Sequence, residues 1–345
     1  MKKIIALHLP QYHEFKENSG WWGKGFTEWT CVGKGYSRGE GHRIKKPHSD
    51  IGYYSLLNKD TRAQQADMAR KYGVYGFCYY HYWFGDTVLM DKPLQLMLQD
   101  GEPNLPFCFS WANEPWTKRM NGGNGELLQP NNYGDKDEWD RHLDYLLEFF
   151  KNENYIKINN KPVFVIYRIS QIPNYKERFE HWEKRLKQHG FDGMFIVMTI
   201  GNFKDDYESM FPYVDASFDF YPNFLWQKSM IDKVVNDVAF YDMNKVYNRI
   251  LNDRPVHSTH FKGTMVGFDS SPRSPLRSNV FIDGCPELFG ENLRHILSNS
   301  KEEFVFVNAW NEWGEGCALE PEQIDGYGYL EALRGEIGRH NLKIL

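Results

Sequence analysis

Short apolar runs alternate with amphipathic segments along almost the whole sequence, and this alternation restricts the possible folds more than any other feature. The apolar runs are rich in β-branched and aromatic residues, which predicts strands, and the segments between them repeat apolar residues at helical spacing. Strands are predicted at Ile4–Leu9, Val74–Tyr82, Pro106–Ala112, Pro162–Tyr167, Met194–Ile200, Asp215–Phe220, Gly263–Phe268 and Glu303–Ala309. Helices are predicted at Thr61–Lys71, Pro93–Leu98, Trp139–Lys151, Tyr175–His189, Met230–Ile250 and Glu291–Ser298.

Strands that alternate with helices in a chain of 345 residues predict an α/β fold, a single (β/α)8 TIM barrel over residues 1–345. Continuous apolar strands such as Phe304-Val305-Phe306-Val307 suit a parallel sheet that is buried on both faces. A doubly wound open sheet is the alternative, but the first strand leads into Leu9-Pro10-Gln11-Tyr12-His13 and not into a glycine fingerprint. The long segments after the first and third strands are then βα loops at the C-terminal face of the barrel.

The charge and the composition restrict the partners of this chain. Its formal net charge of −5 is spread along the sequence without a run of five like charges, so neither nucleic acid nor a polybasic membrane contact is predicted. Aromatic residues make up 16% of the chain. They can form an aromatic core, or a groove in which rings pack on sugars while their polar tips bond to hydroxyls, and both can hold in one protein.

The amino terminus and the cysteines bear on where the chain resides. The short apolar run after Lys2 and Lys3 is broken by His8 and Pro10, so it predicts a first strand and not a signal peptide. No stretch approaches the roughly 18 apolar residues of a membrane span. The five cysteines include no CxxC pair and lie mostly in apolar runs, which predicts reduced, buried thiols. These features together predict a cytoplasmic protein.

Polar residues follow the predicted strands at the end where barrel enzymes carry their catalytic groups. The candidates are His8, Gln11, Tyr12 and His13 after the first strand, His81, Tyr82 and Trp83 after the second, Trp111, Asn113, Glu114 and Trp116 after the third, Tyr167 and Arg168 after the fourth, Asp219 and Tyr221 after the sixth, Asp269 after the seventh, and Asn308–Gly316 after the eighth. We expect these side chains to converge on one mouth of the barrel.

Glu312 and Glu315 are the strongest catalytic candidates in this set. Carboxylates that are crowded together or lie beside aromatic rings take different pKa values, so one can act as a base while the other acts as an acid. Cleavage of a glycosidic bond requires that division. The alternative is that either carboxylate caps a helix N-terminus. Glu114, which also follows an asparagine at a strand end, weakens that alternative, although it could itself be a loop carboxylate bonded to backbone.

Metal and nucleophile motifs are missing from the sequence. His8, His13, His48 and His81 each allow a structural or a site role, but no His-Glu-x-x-His or comparable ligand spacing occurs. No Gly-x-Ser-x-Gly elbow and no Cys–His spacing that supports catalysis is present either. The sequence therefore predicts no metal and no other cofactor.

Segments spread over nearly the whole chain carry a family resemblance. They are residues 7–13 (LHLPQYH), 25–29 (GFTEW), 47–54 (PHSDIGYY), 72–84 (YGVYGFCYYHYWF), 111–116 (WANEPW), 308–316 (NAWNEWGEG), 319–321 (LEP) and 326–330 (GYGYL). Taken together, the segments resemble the WbsX family, described as glycosyltransferases of polysaccharide and O-antigen gene clusters. They are more distantly similar to glycoside hydrolase family 99 (GH99), the endo-α-mannosidases and mannanases.

The resemblance to GH99 implies a mechanism for the pair. In that family the corresponding Glu-Trp-x-Glu-Gly element supplies a base that deprotonates the substrate 2-hydroxyl, whose oxygen attacks the anomeric carbon to form a 1,2-anhydro sugar, and an acid that protonates the departing oxygen. Carried over to this chain, Glu312 is the base and Glu315 is the acid, which later acts as a base toward water. Gly314 stands where GH99 has a histidine, so a sugar contact from that position is lost and the substrate is less certain than the mechanism.

Substrate contacts are predicted from residues at strand ends and in the matching segments. They are His8, Gln11, Tyr12, Glu28, Trp29, His48, His81, Trp83, Trp111, Asn113, Glu114, Trp116, Asn311 and Trp313, with Trp310 as a further candidate. The predicted function is that of a retaining glycoside hydrolase-like enzyme acting on an α-linked mannose- or rhamnose-type polysaccharide. A glycosyltransferase of lipopolysaccharide, O-antigen or capsule synthesis is the alternative, and an inactive glycan-binding protein is a third. A minor variant of the mechanism would use Glu114 as the acid with Glu312.

Overall fold

The computed structural model describes residues 1–39, 41–118, 123–202, 204–249, 255–274 and 277–342. Parallel strands close into a barrel, and they are β1 (Lys3–His8), β2 (Val74–Trp83), β3 (Phe107–Trp111), β4 (Lys161–Ile166), β5 (Phe195–Ile200), β6 (Ala216–Asp219), β7 (His260–Met265) and β8 (Phe304–Asn308). The ring closes because β1 pairs with β8 on one side and with β2 on the other. The predicted (β/α)8 barrel is confirmed.

Helices surround the barrel or cover its mouth. They are α1 (Lys16–Trp22), α2 (Glu28–Lys34), α3 (Lys59–Tyr72), α4 (Lys92–Asp100), α5 (Lys136–Phe150), α6 (Tyr175–Gln188), α7 (Tyr207–Met210), α8 (Met243–Asn248), α9 (Pro286–Asn299) and α10 (Gly328–Leu342). Local sequence sets their ends. α3 begins after Asn58, whose side chain accepts the Asp60 N–H, and it stops at Gly73, which takes a left-handed φ of 87°. None of the helices in these described ranges is both long and apolar enough to cross a membrane.

Helix ends differ from the predicted ones by up to five residues, as at α9, and two further differences concern β7 and the segment after β6. β7 starts and ends three residues before the predicted strand, because Gly267 turns the chain out of the sheet at a φ of 143° and the Phe268 carbonyl then accepts the Phe281 N–H instead. The helix predicted at Met230–Ile250 is wrong over most of its length. Lys233–Val235 and Val238–Asp242 form an antiparallel hairpin, α8 is the α-helical part of the described segment, and Ile250 lies outside the described residues.

The hairpin had a recognisable signal in the sequence. Val234-Val235 and Val238 are β-branched residues on either side of Asn236-Asp237, and both turn residues take positive φ values, of 48° and 62°. Asn and Asp tolerate this conformation better than other non-glycine residues, and a two-residue turn with two positive φ values favours a hairpin. The second strand of the hairpin pairs with Asn279–Ile282 to form a small sheet beside the barrel.

The long βα loops build the mouth of the barrel. The segment between β1 and α3 contains α1 and α2, the segment between β3 and α5 contains a short β-ribbon, and the chain between β8 and α10 contains Glu312 and Glu315. The five cysteines are free thiols, four of them buried and Cys285 half-buried. The barrel strands supply a rigid base for these loops because β3 and β8 are buried at every position.

Candidate active site

Three carboxylates meet one guanidinium at the mouth of the barrel. Arg273 donates from Nε to Glu28 Oε1 at 2.8 Å, from Nη1 to Glu315 Oε1 at 2.6 Å and from Nη2 to Glu312 Oε2 at 3.2 Å. Glu28 and Glu312 are 2% and 6% exposed. The Glu315 side chain is 30% exposed, and it is therefore the member of the group that reaches solvent most readily.

The loop after β8 adopts a short 3-10 turn over Trp313–Glu315, and its glycines make room for this group. A Cβ atom on Gly314 would lie 1.6 Å from Glu28 Oε1 and 2.9 Å from Arg273 Nε, so only glycine leaves the space that this ion pair occupies. Glu312 precedes the turn, but its side chain makes no capping hydrogen bond. The helix-capping alternative for Glu312 is therefore not what the structure shows.

Burial controls the protonation of the group. Removal from water raises the pKa of Glu312, and the neighbouring Glu315 and Glu28 raise it further against the opposing effect of Arg273. Burial also raises the pKa of Glu28. Burial alone would lower the pKa of Arg273, but the three carboxylates outweigh that effect and hold the guanidinium charged. The free protein therefore favours a proton on Glu312.

A cleft of about 470 Å³ opens beside the carboxylates. The polar residues that line it are Gln11, Glu28, Tyr82, Thr117, Arg273 and Glu312, and the apolar ones are Leu9, Trp22, Phe26, Trp116 and Leu128. Aromatic rings beside a few convergent polar groups are typical of carbohydrate sites. Five predicted residues, namely Gln11, Glu28, Tyr82, Trp116 and Glu312, lie in this lining.

The buried carboxylate of Glu320 supports the loop after β8. Glu320 accepts hydrogen bonds from the indole N–H of Trp310 at 3.0 Å and of Trp313 at 2.8 Å, and also from Tyr54 and Gln65. Burial raises the pKa of Glu320 to about 7, although the four donors oppose the shift. Trp310 and Trp313 are thus held within the loop support and not in the cleft lining.

Two more predicted residues join this support. The Tyr12 hydroxyl donates to the Asn311 carbonyl oxygen and accepts the Trp313 N–H at 3.3 Å. The Asn311 side chain accepts the Leu9 N–H at 2.7 Å and donates to the Leu9 carbonyl at 3.0 Å. These contacts tie the loop after β8 to the loop after β1, so that both parts of the cleft keep a fixed relative position.

The structure places His81, Trp83 and Trp111 away from the cleft, in the layer between the barrel and its helices. His81 Nε2 lies 2.9 Å from His142 Nε2, the Trp83 indole donates to Glu138 at 2.6 Å, and Trp111 packs below the Arg178 guanidinium. Successive residues of a strand face opposite sides of the sheet. Tyr80 and Tyr82 therefore point to the mouth, whereas His81 and Trp83 point to the helix layer. All three predicted residues are at least 90% buried, and they pack the helix layer.

His8, His13, Trp29 and His48 also lie outside the cleft lining. His8 Nε2 is 3.2 Å from Gln65 Oε1, and burial lowers its pKa to about 3. His13 bonds to the Pro10 carbonyl at 3.0 Å. The Trp29 indole donates to the Tyr54 carbonyl at 2.7 Å, and His48 lies 3.3 Å from Asp50.

Glu114 occupies a different part of the mouth. It accepts from Arg168 Nε at 2.8 Å, and the Asn113 side chain bonds to the backbone N–H and carbonyl of Arg168, each at 2.8 Å. Neither residue belongs to the cleft lining. Glu114 is thus bonded to a side chain and not to backbone, which differs from the loop interpretation that the sequence left open.

Arg273 is the functional candidate that sequence reasoning missed. It lies in the loop after β7, where only Asp269 was predicted, and it is 39 residues from Glu312 and 245 from Glu28. The available signal was its position in the loop after a barrel strand, eight residues beyond the end of β7. Within the described ranges, no group of three or more His, Cys, Asp or Glu side chains is arranged to hold a metal ion.

Comparison with known families matches almost the whole chain. The profile of the family described as Glycosyltransferase WbsX matches residues 4–333. Two curated relatives, each described as Uncharacterized protein WxcX and from strains B100 and ATCC 33913 of Xanthomonas campestris pv. campestris, are 30% identical over 347 residues. The match covers 97% of this chain and 50% of each relative, so the chain spans about half the length of the curated relatives.

Solved structures share the fold at low sequence identity. A GH99 endo-α-mannosidase from Bacteroides thetaiotaomicron is similar with a TM-score of 0.57 and 13% identity, over 98% of this chain and 97% of that one. A glycoside hydrolase-like protein is similar with a TM-score of 0.60 and 15% identity, over 97% and 93% of the two chains. Both similarities extend over the whole barrel.

Proposed function

Because this chain belongs to the WbsX glycosyltransferase family and folds like a GH99 endo-α-mannosidase, we propose that it is a retaining glycoside hydrolase-type enzyme for an α-linked mannose- or rhamnose-type polysaccharide. One observation carries the proposal. Glu312 and Glu315 lie on one loop at the barrel mouth, bridged by Arg273, beside a cleft with aromatic walls.

The proposed reaction has two steps, with the roles that the GH99 resemblance implies. Glu312 takes the proton of the substrate 2-hydroxyl, and the oxygen attacks the anomeric carbon as the glycosidic bond breaks. Glu315 gives its proton to the departing oxygen. In the second step Glu315 deprotonates water, water attacks the anomeric carbon, and Glu312 returns its proton to the 2-oxygen as the three-membered ring opens.

In the free protein the raised pKa of Glu312 sets a condition on the proposal. Burial favours a proton on Glu312, yet the first step needs Glu312 ionised and Glu315 protonated. A proton must therefore leave Glu312 before or during substrate binding. Arg273 contacts both carboxylates, so it can stabilise either ionised member while the proton changes place.

Transfer from a sugar nucleotide is the second candidate, and the family description favours it. The charge of the cleft supports hydrolysis instead. Among the described residues that line the cleft, Arg273 is the only cation, and it already serves Glu28, Glu312 and the nearby Glu315. A nucleotide diphosphate would meet surplus negative charge there. Binding of sugar nucleotides, measured by calorimetry, separates the candidates: affinity supports transfer, and none supports hydrolysis.

Replacement of the acid tests the proposal directly. Glu315→Gln keeps the shape of the side chain and removes the proton donor, so cleavage of α-mannan or rhamnan oligosaccharides should fall by about 10²- to 10⁴-fold. Reducing-end release measures the rate, and Glu208→Gln, at an exposed position, serves as the matched control. Unchanged cleavage in Glu315→Gln would refute the assignment. Glycans that bind to the wild type but are never cleaved would support an inactive binding protein.

A further inference from the structure

A second cavity, here called the outer pocket, lies behind the loop that carries Glu315. Its open space is about 530 Å³, including solvent at its mouth, and Asp269 and Gly316 belong to its lining. The Asp269 N–H donates to the Glu315 carbonyl oxygen at 2.6 Å. The cleft is lined instead by Arg273 and Glu312, so the turns at 269–273 and 312–316 contribute residues to both cavities.

Lys45 brings an unsatisfied cation to the outer pocket. Its ammonium donates to the Val266 carbonyl oxygen at 3.3 Å and lies 4.2 Å above the Tyr329 ring. Among the described residues it forms no ion pair within 4.0 Å. An ammonium carries three N–H donors, so this one has donors left for an oxygen of a ligand. Burial lowers the pKa of Lys45, against the opposing effect of the nearby Glu322 and Asp325 carboxylates.

Two further polar groups face the same cavity. Tyr329 is 4% exposed, and its hydroxyl lies 3.6 Å from the point where a Cβ on Gly284 would stand. Asp283 is exposed, with a φ of 60°, and its carboxylate is 3.8 Å from the corresponding point at Gly41. Neither side chain has a hydrogen-bond partner in the part of the chain that the structure describes. A cationic donor, a hydroxyl and an acceptor therefore surround one space.

The shape of the outer pocket provides room for a ring beside these groups. Phe268 and Phe281 form an apolar wall, with their ring centroids 5.9 Å apart. Gly267 has a φ of 143° and no side chain, and a Cβ there would lie 3.7 Å from Lys45 Nζ. The floor beside the ammonium is consequently open, and an aromatic wall opposite polar groups suits the two faces of a sugar.

The charges of the lining favour a neutral ligand. The cations are Arg43 and Lys45, and the carboxylates are Asp269, Asp283, Glu322 and Asp325. Several of these are already occupied: Arg43 pairs with Asp325 at 3.4 Å, Asp269 with His42 at 2.8 Å, and Glu322 accepts the Ile324 N–H at 2.9 Å. Phosphate or another anion would meet more negative than positive charge. A hydroxyl group can accept from Lys45 and donate to Asp283, whereas a fully ionised phosphate or carboxylate oxygen can only accept.

We propose that the outer pocket binds one neutral sugar residue, with Lys45 and Tyr329 as hydrogen-bond donors and Asp283 as the acceptor. The choice of a carbohydrate rests on the proposed function, but the binding itself requires no catalysis. The shared wall with Glu315 places this second sugar site next to the catalytic loop.

Ligand-observed NMR titration of the full chain with methyl α-D-mannopyranoside and methyl α-L-rhamnopyranoside tests the proposal, together with crystals soaked in each sugar. Lys45→Met should weaken binding by about 10-fold or more, and Tyr329→Phe by about 3- to 10-fold, as expected for a charged and a neutral hydrogen bond. Asp283→Asn tests the exposed acceptor, and asparagine tolerates its positive φ. Thermal unfolding checks that each variant is folded.

Lys157→Met is the matched control, because Lys157 is also half-buried but its ammonium is satisfied by the carbonyls of Asn152 and Tyr155. Its affinity for both sugars should equal that of the wild type. Sugar density only in the cleft beside Glu312, phosphate binding in place of sugar, equal affinities in all variants, or no binding of either sugar would each overturn the proposal. None of these outcomes depends on the Glu315→Gln cleavage result, so the two proposals can fail separately.

Discussion

The dipeptide Asn-Glu occurs at two strand ends of this barrel, and the two asparagines do the same work. Asn311, after β8, bonds to both backbone groups of Leu9 in the loop after β1. Asn113, after β3, bonds to both backbone groups of Arg168 in the loop after β4. Each asparagine therefore fastens its own loop to that of the neighbouring strand, a local task that the dipeptide performs wherever it follows a barrel strand.

The glutamates that follow have different environments. Glu312 is 6% exposed and shares Arg273 with two other carboxylates, and burial raises its pKa. The Glu114 side chain is 42% exposed and pairs with Arg168 at 2.8 Å. An exposed ion pair mainly fixes geometry, whereas a crowded, buried carboxylate can exchange a proton near neutral pH. The same local sequence thus gives a crowded, buried carboxylate at β8 and an ordinary ion pair at β3.

Replacement of the two glutamates should show the largest difference in activity between the ends of β8 and β3. Glu312→Gln should lower kcat/KM by about 10²- to 10⁴-fold, the usual contribution of a positioned base. Glu114→Gln, the matched control, should change kcat/KM by less than about 10-fold, because an exposed ion pair contributes roughly 1 kcal/mol or less. Steady-state cleavage assays measure both. If Glu114→Gln were as damaging as Glu312→Gln, the variant mechanism with Glu114 as the acid would take precedence.

The next largest effect on kcat/KM is expected at Gly314, a position without an equivalent in the loop after β3. Gly314→Ala would place a methyl group 1.6 Å from Glu28 Oε1 and displace Glu28 from Arg273, so we expect kcat/KM to fall by about 100-fold. Gly20→Ala, in a helix with nothing within 4 Å of the new methyl group, should leave activity unchanged. In the Gly314→Ala background, Glu28→Ala should lower kcat/KM only slightly further. If Glu28→Ala lowered kcat/KM as much there as in the wild type, Gly314 would not act through Glu28.

The pH dependence of kcat/KM gives a finer test. If Glu312 is the base, kcat/KM rises as the pH increases through the Glu312 pKa, which burial has raised above the ordinary carboxyl range. Arg273→Met removes a cation that lowers this pKa, so the ascending limb should move to higher pH by about one unit or more. Arg168→Met should leave that limb in place. A limb that descends with pH, and that disappears in Glu312→Gln, would make Glu312 the acid.

The last expected effect is on stability and not on catalysis, and it lies under the loop, at Glu320. Its pKa of about 7 exceeds the ordinary value, so the folded state binds its proton more tightly and the unfolding free energy decreases as pH rises from about 4.5 to 7. Glu320→Gln removes this titration, so the decrease in unfolding free energy with pH should become smaller by at most about 3 kcal/mol. Chemical denaturation at pH 5 and pH 7.5 measures the change, with Glu208→Gln as the exposed control. Parallel slopes in variant and wild type would show that Glu320 remains ionised throughout.

The sequence alone determined the barrel and the position of Glu312 and Glu315 at its mouth. Apolar periodicity indicates which segments are strands. In a parallel barrel the residues that follow each strand lie at the same face. The family resemblance was also contained in the sequence, because its segments are contiguous. The Met230–Ile250 helix was wrong because the Asn236-Asp237 turn between valines was not recognised.

The tertiary structure alone decided which residues line the cleft. β2 is buried at nine of its ten positions, so its pattern gives no sign of which residues face the mouth, and only the register separates Tyr82 from Trp83. Arg273 and Glu28 reach Glu312 from distant parts of the chain, and no local pattern predicts such a contact. Local sequence sets backbone conformation, whereas the pKa of a carboxylate depends on burial and charge that only the folded chain assembles.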